Sequence, residues 1–415
     1  MSLNDLPSAE RIHISFFGRR NAGKSSLVNA VTGQSLSIVS DTPGTTTDPV
    51  TKSMELLPLG PVVIIDTPGF DDEGALGALR VRKARQILNK TDIAVLVSDI
   101  TKEISESELQ LIELFRQKEI PWLLVRNKSD LPAADRIPAD SSASLPEQPS
   151  FRDSQQVSPQ ASLAVSALTG ENIPRLKELI ASCASGIREE KYIVRDLIHA
   201  GDLVILVIPI DESAPKGRII LPQQNVLREI LDAGAAAVCA QPPALAETLG
   251  NLKQKPALVI TDSQAFREVS ADTPAEIPLT SFSVLLARYK GYLASAAKGA
   301  GCIPALSDGD TILMAESCTH HRQCNDIGTV KIPRLLRKIT GKDLRFETSS
   351  GTEFPEDLSP YAMVIHCGGC MTSDREMRFR IKCAEDQNVP VTNYGTVLAY
   401  ANGILTRALE PLAGK

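Results

Sequence analysis

Apolar and polar positions fall in blocks along this chain. Residues 13–18 (HISFFG), 62–66 (VVIID), 93–98 (IAVLVS) and 122–126 (WLLVR) are short, mostly apolar runs. Such runs suit parallel strands covered on both faces. Between them, 75–90 and 105–118 carry apolar residues at helical spacing, and KSSLVNAVTG from Lys24 reads as a helix ending at Gly33. Alternating strand and helix predicts an α/β fold on a doubly wound sheet. Residues 132–162 break the pattern: they are rich in Pro, Ser, Ala and Gln and read as a surface loop. A strand over 163–166 and the helix IPRLKELIASCAS close a first domain, residues 1–188.

A second block begins at Asp202 (DLVILVIPID), with strands near 235–239 and 257–261 and a helix over 223–233. It predicts a small α/β domain over 189–265, whose sheet edge is suited to pairing with a second copy. A third α/β domain, 266–415, holds helices around 280–298, strands at 311–316 and 361–366, and a helix from about 373 to 386. No internal repeat is evident. At 415 residues the chain is too long for one ordinary core. Hydrophobic content of 43% and charged content of 23% are those of a soluble globular protein. The net charge of −6 argues against a broad nucleic-acid surface. No secretion-signal pattern opens the chain, and no apolar run reaches the roughly 18 residues of a membrane span, so a cytoplasmic location is expected.

Two chemistries stand out. Gly18-Arg19-Arg20-Asn21-Ala22-Gly23-Lys24-Ser25 has the spacing GxxxxGKS between a strand and a helix, a loop whose N–H groups cradle phosphate. Gly18, Asn21, Ala22, Gly23, Lys24, Ser25 and Ser26 are its expected nucleotide contacts. Lys24 reaches the β and γ phosphates, and Ser25 ligates Mg²⁺. Asp66-Thr67-Pro68-Gly69 ends a strand, placing Asp66 to hold a Mg²⁺-bound water and the Gly69 N–H to meet the γ-phosphate. Asn127-Lys128-Ser129-Asp130 ends a later one. The Asp130 carboxylate can accept from guanine N1–H and the 2-amino group, whereas adenine leaves it unpaired. Asn127 would address the imidazole edge, the Lys128 stem the ring face, and the Ala167 N–H of Ser166-Ala167-Leu168 guanine O6. The nucleotide is therefore GTP or GDP.

The other chemistry lies in the third domain. Six of eight cysteines lie beyond residue 300, with three of the five histidines. Cys318-Thr319-His320 and His366-Cys367-Gly368-Gly369-Cys370, with 45 residues between the histidines, each follow a strand. Three readings remain open: a [4Fe–4S] cluster on Cys318, Cys367 and Cys370 with His320, His366 or an exchangeable group as fourth ligand; a structural Zn²⁺ on the same residues; or a redox dithiol. The spacing CxxxCxxC of radical-SAM enzymes is absent. Cys324 fits no specific pattern; Cys183, Cys239, Cys302 and Cys383 read as core thiols.

The nucleotide motifs resemble the Era/TrmE group of translation-factor-like GTPases. That resemblance makes Gly44-Thr45-Thr46-Thr47-Asp48 switch I, with Thr46 on Mg²⁺ and sensing the γ-phosphate. It makes Asn21 a residue that helps hold K⁺. The catalytic set is then Lys24, Thr46, Asp66 and Gly69. Phe70 stands where Ras-like enzymes have a water-orienting glutamine, so slow, K⁺-stimulated hydrolysis is expected. The combination with CxH…HCxxC resembles the HydF family of [FeFe]-hydrogenase maturation GTPases. The resemblance implies a homodimeric scaffold that binds a [4Fe–4S] cluster. It implies a diiron precursor received from the radical-SAM maturases HydE and HydG and delivered to apo-hydrogenase HydA, with no nucleic-acid or membrane partner. The alternative is an Era/TrmE-like GTPase of ribosome assembly or tRNA modification with a zinc-stabilised C-terminal domain.

Overall fold

The structure is a computed structural model that describes residues 11–33, 50–69, 87–132, 161–184, 191–210, 219–317, 326–351 and 353–413. The chain forms two compact units, Met1–Glu189 and Glu190–Lys415. Among the described residues no helix is long and apolar enough to cross a membrane.

In the first unit the expected apolar runs become β1 (Ile12–Phe17), β3 (Gly60–Asp66), β4 (Ile93–Asp99), β5 (Trp122–Asn127) and β6 (Ser162–Val165), all parallel. The order is β2-β3-β1-β4-β5-β6, with β2 (Val50–Leu56) an antiparallel edge strand. Alternate strand residues feed two cores. Ile14, Phe16, Val95 and Val97 meet Leu27 and Val28 of helix α1 (Lys24–Thr32) and Leu176 and Ile180 of α3 (Ile173–Ala184). Phe17, Ile65, Leu96 and Trp122 meet Leu111, Ile112 and Phe115 of α2 (Glu106–Gln117) on the opposite face. Ser105 and Glu108 close a capping box at the start of α2. Buried Cys183 is an inert core thiol, its pKa pushed up to about 11 by desolvation.

The second unit holds two sheets. One comprises β7 (Leu203–Val207), β8 (Ala236–Ala240), β9 (Leu258–Thr261) and β10 (Leu279–Ser281), in the order β10-β9-β7-β8. The other comprises β11 (Thr311–Glu316), β12 (Arg345–Ser350), β13 (Met363–His366) and β14 (Val391–Asn393), in the order β12-β11-β13-β14. All pairings are parallel. Each sheet places its first strand inside, its second on one flank, and its third and fourth on the other. Local details repeat as well: Asp202 and Asp310, each just before the first strand, accept from the N–H three residues earlier, at 2.7 and 2.8 Å. An internal repeat invisible in the sequence is thus present in the fold, because a strand order survives changes of nearly every side chain.

The two sheets also exchange helices. Helix α7 (Phe282–Tyr289) follows β10, and the next helix, α8 (Leu293–Gly301), packs on β14, where Thr392 Oγ1 donates to Ala296 O at 2.8 Å. Reciprocally, α12 (Leu405–Leu409), which follows α11 (Tyr394–Ala401), packs on β10, where Thr280 Oγ1 donates to Ala408 O at 2.9 Å. The boundary expected at 265 falls inside the first of these sheets. Its fourth strand is the three-residue, half-polar LTS, too short to read as a strand. Cys239 is exposed rather than a core thiol, because β8 is an edge.

Candidate functional site

The nucleotide cradle begins where β1 ends at Phe17 and closes where α1 begins at Lys24. Gly23 caps the helix at φ 83°, and a Cβ there would collide with the Asn127 side chain. Gly23→Ala therefore meets a clash and backbone strain together, a cost of about 1–3 kcal/mol for the strain alone. The expected result is a lower urea midpoint and weaker nucleotide binding than wild type, read by unfolding and fluorescence titration. Buried Lys24 donates from Nζ to the carbonyls of Gly18 and Arg19, each at 2.9 Å, so its ammonium lies across the loop. Ser25 Oγ donates to Asp66 Oδ2 at 2.7 Å, while Asp66 Oδ1 is buried with no partner among the described residues. A hydroxyl beside an orphaned carboxylate oxygen is a donor set that fits hydrated Mg²⁺. Gly69 abuts the backbone of Arg20, and Ser26 lies on α1, half-buried. Thr46 and Phe70 lie outside the described residues.

The expected base-reading residues converge at the ends of β5 and β6. Asn127 Nδ2 donates to Ala22 O at 3.0 Å, and its Oδ1 accepts from the Ala167 N–H at 3.1 Å. Asn127 thus ties the phosphate loop to the base loop, and the Ala167 N–H expected on guanine O6 points here at Asn127. Ser166 Oγ donates to Asp130 Oδ1 at 2.6 Å. Lys128, at φ 73°, donates to Asp99 Oδ2 at 2.5 Å. Burial alone would raise the Asp99 carboxyl, but hydrogen bonds from Lys128 and from the Thr101 N–H and hydroxyl outweigh it and lower its pKa. Asp99, which holds Lys128, is a residue the motif reading missed. Its position at the C-terminal end of an apolar run was the available signal.

The CxxC turn lies at the C-terminal ends of β11 and β13. These strands are neighbours whose onward connections leave to opposite flanks, the switch point at which open α/β sheets form their ligand crevice. The Cys367 N–H donates to Ala315 O at 2.8 Å. Cys367 Sγ accepts from the Ser317 N–H at 3.2 Å and donates to Ser317 Oγ at 3.3 Å. The residue just before Cys318 therefore touches the Cys367 sulfur. Cys318, His320 and Cys324 lie outside the described residues. Gly369 turns the chain between Cys367 and Cys370 at φ 65°, and both cysteines are half-buried. Sulfur is the donor that suits a soft metal or cluster, and the Cys367 sulfur is held at a strand end. Among the described residues no group of three or more metal-ligating side chains converges.

His366 departs from its expected place among the ligands. It is 1% exposed, its Nδ1–H donates to Cys367 O at 2.8 Å, and its Nε2 accepts from Arg380 at 3.0 Å. Burial first, and then Arg380, push its pKa down to about 3. A neutral ring with both nitrogens engaged offers no lone pair to iron. Arg380, on α10 (Asp374–Asp386), also donates to Glu376 Oε1 at 2.9 Å and to Gly351 O at 2.6 Å.

Comparison with known proteins bears on both sites. Residues 193–291 match the family model of the hydrogen maturase F dimerization domain, and 294–411 that of the hydrogen maturase F tetramerization domain. Together these take in just over half the chain. This chain belongs to the hydrogen maturase F family. Its N-terminal part is a GTPase domain, residues 13–128 matching the model of the 50S ribosome-binding GTPases. The chain is 31% identical over 206 residues to the tRNA modification GTPase MnmE of Desulfotalea psychrophila, covering 45% of this chain and 40% of that protein. It is 30% identical over 171 residues to GTPase Era of Clostridium acetobutylicum, covering 40% of this chain and 53% of that one. It thus spans about half, or less, of these relatives. Among solved structures, Era of Aquifex aeolicus bound to GDP and aluminium fluoride aligns with 21% identity and a TM-score of 0.36, over 55% of this chain and 91% of that chain.

Proposed function

We propose that this hydrogen maturase F family member is a GTP-hydrolysing scaffold for hydrogenase maturation. In this reading Cys318, Cys367 and Cys370 hold a [4Fe–4S] cluster. One observation carries it: the strand end leading into Cys318 touches the Cys367 sulfur at a switch point, on a chain whose other unit is a GTPase domain. Three cysteines leave a cluster one iron position short of protein ligands, an exchangeable docking point for a diiron cargo. With His366 engaged elsewhere, His320 or an external group is left for that position. The matches over 193–411 favour this reading over ribosome assembly or tRNA modification.

The nucleotide site does the timing. Lys24 and the loop N–H groups bind the phosphates, Ser25 and Asp66 hold Mg²⁺ and its water, and Asp130 selects guanine. Thr46 and Gly69 sense the γ-phosphate, and Asn21 supports a K⁺ beside it. Edge strand β8, unpaired on its outer side among the described residues, is suited to pairing with a second copy. The scaffold acts in the cytoplasm, receives its cargo from HydE and HydG, and passes it to HydA. Affinities for these three proteins, measured with GDP and with a non-hydrolysable GTP analogue, are expected to differ by at least about fivefold for one of them, the low end of typical coupling. Equal affinities for all three in both states would remove the timing role.

A further inference from the structure

The CxxC turn is met by residues from the half of the second unit that carries the preceding sheet. Lys290 ends α7, and Tyr292 leads into α8, the helix exchanged onto β14. Both are buried. The Lys290 ammonium donates to the carbonyl of Thr372, two residues past Cys370, and lies 3.7 Å from Asp374 Oδ1. Asn393 Nδ2 donates to the Tyr292 hydroxyl at 3.4 Å. Burial raises the Tyr292 phenol far above its ordinary pKa, and charge at Cys367 and Cys370 adds to that rise. The turn thus packs under a segment of the neighbouring half. Of the two buried cations near it, Arg380 is spent on His366, Glu376 and Gly351, and Lys290 acts on the turn itself.

We propose that Lys290 is a positioning residue of the CxxC turn: it ties the turn to the end of α7 through the Thr372 carbonyl and, paired with Asp374, brings a positive charge to the turn. The inference rests on the metal-site reading above, although its positional part needs no particular metal. A positive charge at the turn favours the more negative, reduced state of any cluster its cysteines hold. The hydrogen bond joins the two exchanged halves at the point where the metal ligands turn, so the turn takes its position from the β7–β10 half as well as its own.

The test uses the full chain with Lys290→Gln, which removes the charge, and Lys290→Arg, which keeps it. In metal-free protein, amide exchange across 367–374 is expected to rise about 10–100-fold in Lys290→Gln, the factor matching one charge-assisted hydrogen bond. Strand β7 should stay protected, and Lys290→Arg should restore most of the protection. After anaerobic reconstitution with iron and sulfide, the cluster midpoint potential should move more negative in Lys290→Gln and return in Lys290→Arg. Unaltered exchange in the turn overturns the positioning role whatever the metal. An unaltered potential in a reconstituted cluster overturns the charge role. Wild-type protein that takes up no iron, while its turn still loosens in Lys290→Gln, upholds the positioning and removes the iron–sulfur reading instead.

Discussion

Asp130→Asn is expected to convert the GTPase domain from a guanine reader to a xanthine reader. Ser166 Oγ fixes one carboxylate oxygen of Asp130 at 2.6 Å and so orients the group. A carboxylate there accepts from both N1–H and the 2-amino group of guanine. An amide would turn one of its ends into a donor facing a donor, and a site built on hydrogen bonds rejects such mispairing strongly. GTP affinity should fall at least about 100-fold. Xanthine carries a carbonyl at position 2, which the new amide N–H can reach, so XTP should bind far better to the variant than to wild type. Parallel titrations with GTP and XTP check this. A variant that keeps wild-type GTP affinity would show that Asp130 does not read the base.

The second large effect falls on the other unit. Cys367→Ser should abolish iron–sulfur absorption after reconstitution, because its sulfur is held by the Ser317 N–H at the meeting point of β11 and β13. A serine hydroxyl in that place is a harder and far less acidic ligand. Iron retention should fall by more than the ~10–100-fold that losing a mere supporting residue costs. Cys183→Ser and Cys239→Ser are the controls. Cys183 is buried on α3 with its thiol pushed up to about 11, and Cys239 is exposed on the edge strand β8. Neither should change the iron content. Normal iron in Cys367→Ser would remove this cysteine from the ligand set.

The hydrophobic pattern made much of the fold legible. Strands covered on both faces, such as IAVLVSD and LVILV, announce themselves because every side chain is apolar. The strands it did not reveal lack that signature. Strand β2 (VTKSMEL) and strand β12 (RFETSS) are edges facing solvent, and β10 (LTS) and β14 (VTN) are three residues each. The GxxxxGKS and NKSD segments stood out because each is a run of contiguous residues at a strand end. His366 shows where contiguity misleads. Its neighbours in HCGGC suggest a ligand, yet Arg380, fourteen residues on and one helix away, takes its free nitrogen. Lys290 and Tyr292 carried no motif at all. They reach the CxxC turn only because α8 crosses to the other sheet, an exchange that no local pattern encodes.

The most direct measurement is metal and sulfide analysis, with absorption and EPR spectra, of the wild-type chain purified anaerobically and reconstituted with iron and sulfide. The proposed three-cysteine site predicts a brown protein with about four irons and four sulfides per chain and a reduced cluster visible by EPR. A colourless protein that carries one zinc per chain and takes up no iron would contradict the account.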